Sequence, residues 1–207
     1  MARKSYSDQE REQIKETLLT AVLECIVNRG LIHTSIDVLC KKAGISKTFF
    51  YTFFSSKEEL VLQALRYQQP GLLRYARQLM DDSALSWREG VRTFLETCCY
   101  GEKNGIAVLS AEEEQEIYRC LSKENFESFR RDQISLYRSL LMIFGIPEDG
   151  IDPRLFGNLA LVMMMVYKAI PDTMPFLFPE MAGEMVDFQI QALLDKMERI
   201  KEGGEHL

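Results

Sequence analysis

Apolar residues recur along this chain at intervals of three and four, and no stretch alternates in the manner of a half-buried strand, so the pattern predicts an all-α protein. Ser7 with Glu10 forms a capping-box pair, and Ile14, Leu18, Ala21, Val22, Cys25 and Ile26 then draw one apolar stripe. Gly30 is expected to end that helix as a left-handed cap. Thr34, with Asp37 three residues on, is expected to cap a short second helix whose inner face is Ile36, Leu39, Cys40 and Ala43. Gly44 breaks it, Ser46 caps a third short helix, and Ser55 or Ser56 caps a fourth ahead of Glu58 and Glu59. Two short helices joined by a tight, glycine-containing turn make a helix-turn-helix arrangement.

Longer helices follow. Residues 57 to about 80 predict one or two, with Pro70-Gly71 as a kink or break. Ser86 and Glu89 open the next, with Trp87, Val91, Phe94, Leu95 and Cys98 inward and Gly101 at its end. Another is expected from about Ile106 to Cys120. The one after it starts at Ser122, carries Phe126, Phe129, Tyr137, Leu141 and Phe144, and stops at Gly145 and Pro147. Asp152-Pro153 opens a helix to about Ile170, and a last helix after Pro179 carries Met185, Phe188, Ala192, Met197 and Ile200.

The segment "SKTFFYTFFSSKEE" concentrates four phenylalanines and a tyrosine in six positions. With residues 47–54 placed on a helix at about 100° per residue, Phe50 and Phe54 share one side, with Phe53 near them. Phe49 and Tyr51 flank that side, and Thr48 and Thr52 point away from it. Phe50 and Phe54 are therefore expected in a small three-helix core with Ile14, Leu18, Leu39 and Ile45. Lys47, Thr48 and Thr52 are expected outside, and Phe49 and Tyr51 on the rim, open to a partner. Hydroxyls, an ammonium and an aromatic rim at a helix N-terminus suit phosphates, base edges and thymine methyls of a DNA major groove. The backbone N–H groups at the start of the next helix, beside Lys57, suit a phosphate. The alternative is that all five aromatics serve only as the core of an ordinary bundle.

Composition narrows the function. The 207 residues are 46% hydrophobic and 27% charged, ordinary for a globular protein. No apolar run approaches a membrane span, and the N-terminal "MARKSYSDQEREQ" lacks an apolar signal-peptide core, so a cytoplasmic address without membrane contact is expected. The net charge of −6 is unevenly spread. Residues 1–60 hold nine Lys/Arg against eight Asp/Glu, and the rest hold sixteen against twenty-three. DNA contact at one end, with an acidic body at the other, fits that division. The five cysteines show no zinc-ligand spacing and read as buried, inert thiols, although adjacent Cys98-Cys99 would also suit a redox pair. With only His33 and His206, no Gly-rich phosphate loop and no His/Cys/Asp cluster, neither an enzyme nor a metal or cofactor site is expected.

Gly30, "TSIDVLCKKAGIS" and "FYTFFSSKEEL" together resemble the DNA-binding domain of the TetR family of bacterial transcriptional regulators. Gly30, Thr34, Ser35, Ile36, Leu39, Ala43, Gly44, Ile45, Ser46, Tyr51, Phe54, Ser56, Lys57 and Glu58 match or nearly match the family's pattern over about residues 10–65. The resemblance implies a helix-turn-helix domain over residues 1–56 and a larger helical domain for effector binding and dimerisation over 57–207. It places Tyr51, Lys57 and the Thr34-Ser35 pair at phosphates. Lys47, Thr48, Phe49 and Thr52, after the Ser46 cap, fall on the recognition helix. Thr48, where glycine is common, and Phe49 and Phe53, where polar residues are frequent, imply an unusual operator. Cys40 stands where alanine is usual. The family likeness further implies a dimeric repressor on a palindromic operator, released by a small lipophilic effector. A DNA-binding or adaptor protein with no small-molecule effector is the alternative.

"LFGNLALVMMMVYKAI" (155–170) is apolar nearly all round, so it needs cover on more than one side. It is expected to pair with the last helix, forming a four-helix interface between two subunits. Trp87, Phe94, Tyr118, Phe126, Tyr137 and Met164 are the candidate ligand-pocket residues, each equally suited to a core. The "EEEQE" run at 112–116 is expected to be a solvated face; turned toward a pocket, it would favour a cationic, lipophilic ligand.

Overall fold

A computed structural model describes residues 6–168 and 177–203. Among them are nine α-helices and no strand: α1 (Asp8–Arg29), α2 (Ile36–Ala43), α3 (Lys47–Phe50), α4 (Lys57–Asp81), α5 (Trp87–Cys99), α6 (Ala111–Cys120), α7 (Lys123–Ile143), α8 (Pro153–Lys168) and α9 (Ala182–Lys201). The expected helix ending near Ile170 runs past the described residues, as does His206.

Serine caps set most of the helix starts. Ser7, Ser86 and Ser110 each form a full capping box with the glutamate three residues on, and Ser46, Ser56 and Ser122 each accept one backbone N–H. The second helix departs from expectation. Its cap is Ser35, which accepts from Val38 N, whereas Thr34 is buried and its hydroxyl donates to the Gly30 carbonyl at 3.0 Å. Gly30 ends α1 at φ 76°, but its ψ of 161° is extended rather than left-handed helical, and the chain then turns, with Thr34 N donating to Leu31 O at 3.0 Å. Gly44 does take the left-handed helical form (φ 64°, ψ 32°) that turns α2 into α3.

Three further differences have local causes. The third helix is a single α-turn, after which Thr52 N and Phe53 N bond back only three residues, to Phe49 O and Phe50 O. The fourth is one continuous helix through Pro70, whose exposed ring takes the place of one backbone donor without ending the run. The sixth starts at Ala111 rather than near Ile106. The preceding stretch is held by Gln68, whose side-chain amide donates to Ala107 O at 3.0 Å and accepts from Ala107 N at 3.2 Å.

Two hydrophobic clusters result. One joins α1–α3 with the first turns of α4 (Leu60, Val61, Ala64) and takes in Ala107, Leu109, Ile117 and Phe129 of the body. The other joins the remainder of α4 with α5, α7, α8 and α9 around Phe94, Phe144, Phe156 and Ile190. Packing thus continues across the expected 56/57 boundary. On α9, Met197 and Ile200 are buried, whereas Met185, Phe188 and Ala192 face outward.

Candidate nucleic-acid interface and body cavity

Phe50 and Phe54 are fully buried, and each such ring contributes about 1.5–3 kcal/mol relative to an exposed one. With the helix anchored from behind, Thr48 and Thr52 are exposed on the opposite side and Tyr51 is half exposed. Thr52 donates its hydroxyl to Phe49 O at 2.7 Å, Ser46 accepts Phe49 N, and the Lys47 ammonium lies 3.5 Å from Asp37 at the surface. Ser35 is exposed, its hydroxyl engaged as the α2 cap. Thr34 cannot offer its hydroxyl to a phosphate from its buried position. Lys57 lies partly buried at the start of α4, where its ammonium donates to Leu31 O and Thr34 O at 3.4 and 3.3 Å.

Phe49 differs from the open rim position expected of it. Its ring stacks on Tyr6 at 4.5 Å, meets Phe53 edge-on at 5.1 Å, and has the Arg11 guanidinium 5.4 Å from its centroid. Arg11 is also 4.9 Å from the Phe53 ring. Tyr6 and Arg11 were not legible as site residues, because helical spacing relates positions within one helix and says nothing of the approach of α1's first turn to α3.

The body holds a cavity of about 360 Å³ among α4, α5, α6, α7 and α8. Five expected residues line it: Phe94, Tyr118, Phe126, Tyr137 and Met164. Trp87 does not. Its indole N–H donates to Phe144 O at 2.7 Å and Lys201 sits 5.5 Å from its ring, so it seals α5 against the chain near α9. Gly157 lets Tyr137 lie close against α8: a β-carbon there would fall 2.2 Å from the ring. Gln68, Gln69, Gln133 and Asn158 supply neutral polar groups to the lining.

The acidic run is not wholly solvated. Glu112, Gln115 and Glu116 are exposed, but Glu113 is buried and Glu114 lines the cavity. Glu113 accepts Ser110 N at 2.8 Å and also Leu31 N of the α1–α2 loop. Burial pushes the Glu114 carboxyl up to about 7, against a smaller opposing pull from its hydrogen bond with Tyr118. Burial likewise pushes Tyr137, Cys98 and Cys99 up to about 12, which leaves the paired thiols protonated and unreactive. Cys25 and Cys40 are also buried, whereas Cys120 is exposed, contrary to expectation. Among the described residues no helix is long and apolar enough to cross a membrane, and no cluster of metal-ligand side chains occurs.

Residues 18–64, spanning α1 to the start of α4, match the family model of bacterial regulatory proteins, tetR family. Over that segment the chain is similar to the TetR family. The HTH-type transcriptional activator FasR of Mycolicibacterium smegmatis is 33% identical over 89 residues, which make up 42% of this chain and 41% of that protein. The chain thus matches less than half of FasR's length. The HTH-type transcriptional regulator YhgD of Bacillus subtilis is 26% identical over 165 residues, 75% of this chain and 81% of that protein. In overall fold the chain is similar to SCO4454, a TetR-family transcriptional regulator from Streptomyces coelicolor, with a TM-score of 0.56 at 16% identity over 90% of this chain and 96% of that one.

Proposed function

We propose that this chain is a DNA-binding transcriptional regulator of the TetR type, a ligand-responsive repressor that binds a palindromic operator as a homodimer and is released by a small lipophilic effector. The observation that carries this reading is the pairing of an outward Thr48–Tyr51–Thr52 face with a largely apolar body cavity in one chain. Lys47, Thr48 and Thr52 would meet base edges and nearby phosphates, with Tyr51 and the Ser35 and Ser46 ends of α2 and α3 on the backbone. Lys57 orders the loop before α2 and adds positive charge at the same surface. The Phe49 ring, covered by Tyr6, presents an edge rather than a face to a thymine methyl.

The dimer would form through α8 and α9. Leu155, Leu159 and Val162 of α8 and Met181, Met185 and Phe188 at α9 are exposed at helical spacing, whereas Phe156, Met163, Val186 and Ile190 on the same helices are buried. Two apolar rows on adjacent helices fit a two-fold interface. Effector binding would act through α6, which contributes Glu114 to the cavity and Glu113 to the loop that leads into α2. Filling the cavity would then favour a subunit arrangement that no longer fits the operator spacing. The body cavity favours this reading over an adaptor that makes protein contacts only.

Selection of sites from a random DNA pool tests the DNA half, and melting-temperature shifts with a set of lipophilic compounds test the effector half. A two-fold symmetric site, released by a compound that raises the melting temperature, is the expected result. DNA binding without sequence preference would overturn it.

A further inference from the structure

The effector's chemistry can be narrowed from the cavity's own charges, an inference that rests on reading the cavity as the effector site. Its walls are largely apolar and carry several aromatic rings, with Tyr118 and Phe126 meeting edge-to-face at 5.1 Å. Three lining side chains are Arg or Glu: Arg130, Arg154 and Glu114. Both arginines are exposed, and both are matched by carboxylates outside the lining. Arg130 pairs with Glu127 at 3.4 Å, and Arg154 clasps Asp152 through two guanidinium nitrogens. Glu114 differs. It is turned into the cavity on α6 and bonded by Tyr118, and among the described residues no basic side chain pairs with it. An apolar chamber whose one uncompensated ionisable group is a carboxyl, set beside π-faces, is suited to a positive centre on a hydrocarbon frame.

We propose that the cavity binds a lipophilic cation, an organic ammonium carried on an alkyl or aromatic body, with its positive centre between Glu114 and the rings of Tyr118 and Tyr137. Desolvation alone holds the empty site's carboxyl partly protonated; an incoming cation supplies the counter-charge that ionises it. The other titratable groups of the lining do not compete near neutrality. Tyr118, Tyr137 and Cys98 are all pushed upward and stay neutral, and the two arginines are paired with Glu127 and Asp152.

Three probes of equal chain length separate the possibilities: decyltrimethylammonium, decanol and decanoate, titrated calorimetrically into the full chain at pH 8. The cation is expected to bind about tenfold tighter than the alcohol, with decanoate weakest. Glu114→Gln should reduce the cation to the alcohol's affinity and leave the alcohol unchanged, whereas Glu112→Gln, exposed on the same helix, should change neither. In the unsubstituted protein the cation's affinity should rise between pH 6 and pH 8 while the alcohol's stays level, a readout independent of how the variant folds. Tightest binding of decanoate, a cation preference that survives Glu114→Gln, or a level cation profile would overturn the proposal and leave the cavity as an effector site. Failure of all three probes to bind would overturn both.

Discussion

Glu113, in the body, accepts a hydrogen bond from the backbone N–H of Leu31, in the loop that opens the helix-turn-helix. The same carboxylate lies where Gly30 would carry a β-carbon, which would fall 2.9 Å from its Oε1. Gly30 thus meets two demands at once, a positive φ and room for a side chain from another region.

Gly30→Ala is therefore expected to lower stability by about 1–3 kcal/mol, through both the backbone conformation and displacement of the carboxylate. Glu113→Ala should lower it by a similar amount, since a buried N–H loses its acceptor. The two losses should fall short of additive in denaturant unfolding because they share one contact. Full additivity would show that the contact is unimportant.

At the DNA surface, Tyr51→Phe should weaken binding to all sequences alike and lower the salt slope by about one phosphate's worth. Thr48→Ala and Thr52→Ala should alter site preference instead, read by competition between the selected operator and point variants of it. Lys57→Ala carries a second expectation from its contacts with Leu31 O and Thr34 O: a lower melting temperature as well as weaker binding.

Phe188, 75% exposed and the most exposed member of the α9 row, is the position to break self-association. Phe188→Glu should convert a particle of twice 23.9 kDa into one of 23.9 kDa by light scattering, with the helical circular-dichroism signal retained. A single-subunit mass before substitution would reject the interface.

Stability should depend on pH through Glu114. Its folded-state carboxyl is raised from 4.5 to about 7, so between those values the unfolded chain is ionised while the folded one keeps its proton. The contribution is most favourable below about 4.5 and is lost as pH rises to about 7. The melting temperature of Glu114→Gln should accordingly gain on the unsubstituted protein across that window and run parallel to it above. Parallel curves throughout would show the carboxyl to be solvated.

Contacts within one helix were legible in the sequence, and contacts between distant segments were not. The inward set of residues 47–54 followed from helical spacing, because Phe54 N still bonds back to Phe50 O just beyond α3, and five cavity residues were found by their size and position on inner faces. Thr34 as a cap and Trp87 as a pocket residue failed for the same reason. The Gly30 carbonyl and the Phe144 carbonyl that engage them are set by loop paths that periodicity does not encode. The acidic run was divided by a single step along α6: Glu113 and Glu114 differ by about 100°, enough to send one carboxylate to the N-terminal loop and the next to the cavity.

The uninterrupted α4 carries a mechanical implication. Leu60 and Ala64 near one end belong to the core of the helix-turn-helix, and Ala76 near the other belongs to the core of the body. One rod is thus clamped in both, so tilting its far half must swing the near half, and Pro70, with one rung of the ladder missing, is where that rod bends with least resistance.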